Sequence, residues 1–277
     1  MTSPGARLAV LIDADNTSPK YVDALLDELA KYGVATVKRA YGDWTTPQLG
    51  GWKTQLNRHA IAPVQQFSYT TGKNSTDSAL IIDAMDLLYS GNLDAFALVS
   101  SDSDFTRLAT RIRESGKTVY GLGLRKTPSS LVAACDKFVY LEVLGDEPDD
   151  EDEVEPLPEL EPLLRRAIDS TSQDDGWAHL GAIGTFLSSA NTSFDPRNYG
   201  FSKLISLAQA QSYLEVDTST GTPRARLRTA TQRRRRSSSG RAAEGGSAKK
   251  AAPAEKAAPA KKTTSAKKAA AGQSSGR

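Results

Sequence analysis

Apolar residues fall in short runs, and between the runs they recur at helical spacing. Leu8 to Ile12 is an apolar run of strand length that stops at Asp13-Ala14-Asp15-Asn16, and Ser18-Pro19 then offers an N-cap and a first-turn proline for a helix over Tyr21 to Lys31. The alternation continues with strand Val34 to Tyr41, helix Thr46 to Arg58, strand Ala62 to Phe67 and a helix from Ser75 to Tyr89. Strand Ala95 to Val99, helix Phe105 to Glu114, strand Thr118 to Leu122, helix Ser129 to Ala134 and strand Phe138 to Leu141 complete it. Strands and helices taking turns predict a parallel sheet covered on both faces, a Rossmann-like three-layer α/β domain over residues 1–144.

The pattern breaks over residues 145–161. Ten acidic residues lie between Asp146 and Glu161, interspersed with prolines, a composition that extends by self-repulsion and predicts a linker. A second unit occupies 162–229. Leu163 to Asp169, Trp177 to Ser188 and Tyr199 to Ala210 have helical spacing, and Tyr213 to Val216 and Ala225 to Arg228 flank the turn Ser219-Thr220-Gly221-Thr222-Pro223. Three helices and a terminal hairpin predict a small winged helix-turn-helix domain, with Trp177 as an anchor of its core.

Charge changes this picture at the carboxyl end. From Thr218 onward there are 16 Lys+Arg against 2 Asp+Glu, whereas the preceding residues carry 19 against 31. The Ala-, Lys- and Pro-rich stretch 230–277 has too little apolar content to offset its ordering entropy, so a disordered basic tail is expected. Such a tail binds polyanions by releasing counterions, RNA foremost and DNA as a second partner. A single cysteine, Cys135, excludes an intrachain disulfide and a cysteine-rich zinc site. No run of 18 apolar residues and no leader pattern appear, so the expectation is a cytoplasmic protein without membrane contact. Whether two copies associate as a homodimer stays open.

The candidate chemistry is acidic. Asp13, Asp77, Asp102 and Asp104 all sit where a strand or loop passes into a helix, and in open parallel sheets ligands bind outside the carboxyl ends of the strands. Clustered carboxylates repel unless a cation lies between them, and hard oxygen ligands suit Mg²⁺ or Mn²⁺. Helix capping is the alternative reading for Asp77 and Asp104. Around the exit of the second strand, Arg39, Tyr41, Trp44, Trp52 and Arg58 are suited to pairing phosphates and stacking unpaired bases, although core packing explains Tyr41 and Trp52 equally well. Lys73 is suited to a non-bridging phosphate oxygen, and Asn16 to orienting a carboxylate or the phosphate.

Leu11-Ile12-Asp13-Ala14-Asp15-Asn16, Gly72-Lys73-Asn74-Ser75-Thr76-Asp77 and Ser100-Ser101-Asp102-Ser103-Asp104-Phe105 together resemble the NYN domain, the LabA-like branch of the PIN-type nucleases. The resemblance implies a metal-dependent ribonuclease, with Asp13, Asp77, Asp102 and Asp104 as catalytic and metal-binding positions and Asn16 beside them. Leu163 to Ile168 and Tyr199-Gly200-Phe201-Ser202-Lys203-Leu204 resemble the OST-HTH or LOTUS domain, which implies RNA or protein binding. Two rival functions stand beside the ribonuclease. One is a haloacid-dehalogenase-type phosphatase with Asp13 as nucleophile and Asp15 as acid/base, because Asp13-Ala14-Asp15-Asn16-Thr17 fits its Asp-x-Asp-x-Thr pattern. The other is a catalytically silent RNA-binding scaffold.

Overall fold

The computed structural model describes residues 5–67, 75–145, 156–219 and 221–228. Lys73, the acidic stretch 146–155 and the basic tail therefore lie outside the described residues.

Six strands form one parallel sheet in the order β3-β2-β1-β4-β5-β6. They are β1 (Arg7–Asp13), β2 (Val34–Gly42), β3 (Ala62–Gln65), β4 (Ala95–Val99), β5 (Thr118–Gly123) and β6 (Lys137–Tyr140). The pleat of β1 sends Leu8, Val10 and Ile12 to one face and Ala9 and Leu11 to the other. Helices α1 (Val22–Leu29) and α2 (Trp52–His59) cover the first face, and α3 (Ser75–Tyr89), α4 (Thr106–Glu114) and α5 (Ser129–Ala134) cover the second. Burial on both faces explains why β1 and β4 read as continuous apolar runs rather than as alternating ones. The connections change face between β1 and β4, so the crevice expected at a strand-order reversal opens beside the carboxyl end of β1. Every strand predicted from the pattern is present, and the domain is a three-layer α/β unit.

The second domain has its own core of Leu164, Ile168, Ile183, Leu187, Leu207 and neighbours. Helices α6 (Leu160–Thr171), α7 (Leu180–Ala190) and α8 (Leu204–Ala210) pack against an antiparallel sheet of β7 (Ala178–His179), β8 (Leu214–Asp217) and β9 (Arg224–Leu227) in the order β7-β9-β8. Three details differ from the periodicity. Residues Ala178 and His179 leave the predicted helix to pair with Ala225 and Arg224 of β9. Pro196–Tyr199 is a separate 3-10 turn that ends at Gly200, whose φ of +81° favours a residue without Cβ, and the helix begins only at Leu204. Trp177 is outside the core; it is half-buried, with the guanidinium carbons of Arg224 and Arg226 at 4.7 and 4.5 Å from its ring.

The two domains touch. Strand β6 is an edge of the large sheet, and the Phe138 N–H donates to the Thr192 carbonyl at 2.8 Å while the Thr192 hydroxyl donates to the Val132 carbonyl at 2.8 Å. The second domain thus covers an edge that would otherwise offer free ladder groups. Arg197 reaches across to Glu28 of α1, and Leu157 packs on the first domain's core.

Candidate functional site

Asp13 closes β1 with its side chain on the α3/α4 face, the next position after Leu11 in the period of two. It is wholly buried. Its Oδ2 accepts from Asn16 Nδ2 at 2.9 Å and from the Ser100 hydroxyl at 2.8 Å, while its Oδ1 has no hydrogen-bond partner among the described residues. Burial pushes the Asp13 carboxyl up, opposed by those two donors.

Three further carboxylates stand next to it. Asp77 lies in the first turn of α3, and Asp102 and Asp104 belong to the loop in which β4 ends. One oxygen from each of Asp77, Asp102 and Asp104 lies within 4.8 Å of the others. Asp13 is not a member of this ring, but its charge is felt by Asp77. Burial first, and then the negative charges of Asp13, Asp102, Asp104 and Asp15, push the Asp77 carboxyl up to about 6. Asp102 also caps the 3-10 turn Ser103–Phe105 by accepting from the Asp104 N–H at 2.9 Å. Capping and site-building therefore fall on the same residue.

The donor set has the chemistry of a hard-cation site. A buried carboxylate oxygen without a donor among the described residues, next to three gathered carboxylates of which one is pushed toward the neutral form, is a setting that a bound cation would relieve. All-oxygen donors of this kind fit Mg²⁺ or Mn²⁺.

The residues named from sequence for substrate contact are placed differently. Asn16 is at the site and bonded to Asp13. The Arg39 guanidinium is paired with Asp83 of α3, which also accepts from the Tyr41 hydroxyl. Trp44 ties the loop after β2 to β3, its indole N–H donating to the Val64 carbonyl at 3.0 Å, and its ring meets Trp52 edge-on. Tyr41 and Trp52 are core residues.

The sequence pattern singles out no role for Ser100, and Asp15 enters it only as the acid/base of the phosphatase alternative. Ser100 bridges the site: its hydroxyl donates to Asp13 and accepts the Asp102 N–H at 3.1 Å. The signal was parity, because Ser100 continues the face of β4 that carries Phe96 and Leu98. Asp15 accepts from the Thr76 hydroxyl at 2.9 Å and from the Asp43 N–H at 3.4 Å, tying the start of α3 to the end of β1. A carboxylate holding two loops is poorly suited to the acid/base role that a phosphatase would ask of Asp15.

Residues 7–142 match the family model of the NYN domain, and residues 155–224 match that of the OST-HTH/LOTUS domain. An uncharacterized protein of Methanocaldococcus jannaschii is 27% identical over 127 residues, 42% of this chain, and the chain spans 47% of that relative's length. Among solved structures, a protein of unknown function from Vibrio parahaemolyticus is 20% identical over 50% of this chain and 95% of its own, with a TM-score of 0.43. A fragment from Chromobacterium violaceum is 34% identical over 25% of this chain and 80% of its own, with a TM-score of 0.23. No helix among the described residues is long and apolar enough to cross a membrane.

Proposed function

We propose that this chain, which carries an NYN domain followed by an OST-HTH/LOTUS domain, is a Mg²⁺- or Mn²⁺-dependent endoribonuclease whose second domain and basic tail hold the RNA. An NYN domain is of the nuclease-type hydrolase class, and a LOTUS domain beside it supports RNA as the polymer. The observation that carries the reading is the gathering of Asp77, Asp102 and Asp104 within 4.8 Å next to Asp13, whose Oδ1 has no partner among the described residues.

In this reading Asp77, Asp102 and Asp104 hold the divalent ion, with Asp13 completing the set. When bound, such an ion supplies charge neutralisation at the phosphate and an acidified water. The chain's own residues fix the carboxylates before substrate arrives. Ser100 and Asn16 occupy one oxygen of Asp13 and so orient the other; the Ser100 hydroxyl pins the Asp102 backbone; Asp15, through Thr76, sets where α3 begins and hence where Asp77 stands. Hydrolysis attaches water's oxygen to phosphorus and breaks the bond to the leaving ribose oxygen. Rate enhancement then comes from preorganised charge rather than from a covalent enzyme intermediate.

Purified protein incubated with labelled RNA and Mn²⁺, beside an Asp102→Asn variant, tests the reading. Cleavage by the parent alone is expected. Equal cleavage by both would place the activity elsewhere, and cleavage by neither would favour a binding protein.

A further inference from the structure

A cavity of about 480 Å³ in the NYN domain is lined by residues 14–19 of the loop that follows Asp13, on the sheet face opposite the acidic site. It has a floor of Tyr21, Leu49, Trp52 and Leu141, and Asp15, Asn16, Thr17, Ser18 and Gln48 make up the polar part of its lining. We propose that this cavity is a subsite for one unpaired RNA base next to the scissile phosphate. The proposal deepens the ribonuclease reading and rests on it for the identity of the polymer.

Two observations select this occupant. The first is continuity: Asn16 lines the cavity and donates to Asp13 Oδ2 at 2.9 Å, so it forms the wall between cavity and acidic site. A strand whose phosphate sits at the carboxylates has its neighbouring base within reach of that wall. The second is lining chemistry. Aromatic and aliphatic side chains below with amide and hydroxyl groups above suit a flat heterocycle with an apolar face and a polar edge, and sequence-tolerant or specific RNA readers stack splayed bases on such surfaces. The volume falls within the range of about 300–1,000 Å³ of small-ligand sites. A paired base would have to bring its partner strand into the same recess, so the base must be unpaired.

The test uses the full chain carrying Asp102→Asn, so that RNA is bound and not cut, at a salt concentration that suppresses binding by the basic tail. A set of short oligoribonucleotides carries 2-aminopurine, or an abasic residue, at each position in turn. One position is expected to show a fluorescence change of twofold or more on binding, and an abasic residue there should weaken binding about tenfold. Adding Gln48→Trp, on an exposed rim position, should block the mouth without disturbing the core and abolish the difference between intact and abasic strands. Adding Leu49→Trp should do the same by filling the floor. Equal binding of intact and abasic strands at every position, or a preference that survives Gln48→Trp, would overturn the subsite. The two readings fail separately. A parent protein that cuts intact and abasic strands equally well keeps the nuclease and loses the cavity. A parent that cuts nothing while the abasic penalty persists keeps the cavity and loses the nuclease.

Discussion

Arg197 of the LOTUS domain grips Glu28 of the NYN domain with both ends of its guanidinium, Nη1 to Oε2 at 2.9 Å and Nη2 to Oε1 at 3.2 Å. Glu28 is only 3% exposed and also accepts from Lys31 at 2.6 Å and from the Tyr32 hydroxyl at 2.7 Å. Asp195 holds the other side of Arg197, so the ion pair is preset on its own domain before the partner is met. This contact makes the two domains a docked pair over the described residues, although the acidic composition between them favours an extended tether.

Docking should be lost on truncating the arginine. Arg197→Ala leaves Glu28 buried with only Lys31 and Tyr32, a change expected to cost about 3 kcal/mol. Limited proteolysis or small-angle scattering should then show the domains separated. An unchanged scattering profile would show that Thr192 and the covered β6 edge are sufficient.

Acid should have the same effect in a defined window. Burial would raise the Glu28 carboxyl, but the bonds from Arg197, Lys31 and Tyr32 and the charge of Arg197 outweigh it and hold it down to about 2, against 4.5 for the free group. A carboxyl depressed in the folded state stabilises fully above the unfolded value and loses that contribution as pH falls through the folded one. Undocking is therefore expected between about pH 4.5 and about pH 2, and Glu28→Gln should shift or flatten that transition in a fluorescence or scattering titration.

Removing a carboxylate should stabilise the metal-free protein. Asp77 is crowded by Asp13, Asp102, Asp104 and Asp15 and is pushed up by burial, so Asp77→Asn relieves repulsion that a cation would otherwise relieve. Thermal unfolding in chelator should rise by about 2 °C or more for the variant, while Mn²⁺ should raise the parent's midpoint and not the variant's. A variant that melts lower than the parent in chelator would argue that the carboxylates are held by donors rather than frustrated.

Asp15 separates the nuclease from the phosphatase reading once its contacts are taken into account. Its bonds to Thr76 and the Asp43 N–H mean that Asp15→Ala should lower ribonuclease turnover about tenfold by freeing the start of α3. Asp15→Asn keeps an acceptor and should retain most of the turnover. A phosphatase acid/base would be abolished by both substitutions, so phosphate-ester and RNA cleavage assayed side by side decide between them.

Much of this was legible in the chain. The runs Leu8 to Ile12 and Ala95 to Val99 are apolar because their strands are buried on both faces, and each ends in carboxylates at the same sheet edge. Short elements and long-range pairs were harder to read. Ala178 and His179 carry helical spacing into Leu180 yet pair with β9, a tertiary contact that no local propensity encodes. Trp177 looks like a core residue by type, and only the two arginines of β9 show why it stays half out. Glu28 sits on a helix where acidic residues are ordinary, and its partner lies 169 residues away, so periodicity says nothing about the bond that docks the domains.

Two adjacent serines that sequence alone treats as equivalent hold different partners. The Ser100 hydroxyl donates to Asp13 Oδ2 and accepts the Asp102 N–H, whereas the Ser101 hydroxyl accepts the Leu124 N–H at 2.8 Å and touches neither carboxylate by any bond described. Ser100→Ala should therefore leave Asp13 with Asn16 alone and the Asp102 loop untied, lowering Mn²⁺ affinity and RNA cleavage by about 10–100-fold, the range seen when a ligand's orienting partner is removed. Ser101→Ala removes an acceptor of the same kind one residue on and should cost about 1 kcal/mol of stability with metal affinity unchanged. Calorimetric titration of Mn²⁺ into both variants reads the difference directly. Equal losses would mean that the loop as a whole, and not the Ser100 bridge, positions Asp13 and Asp102.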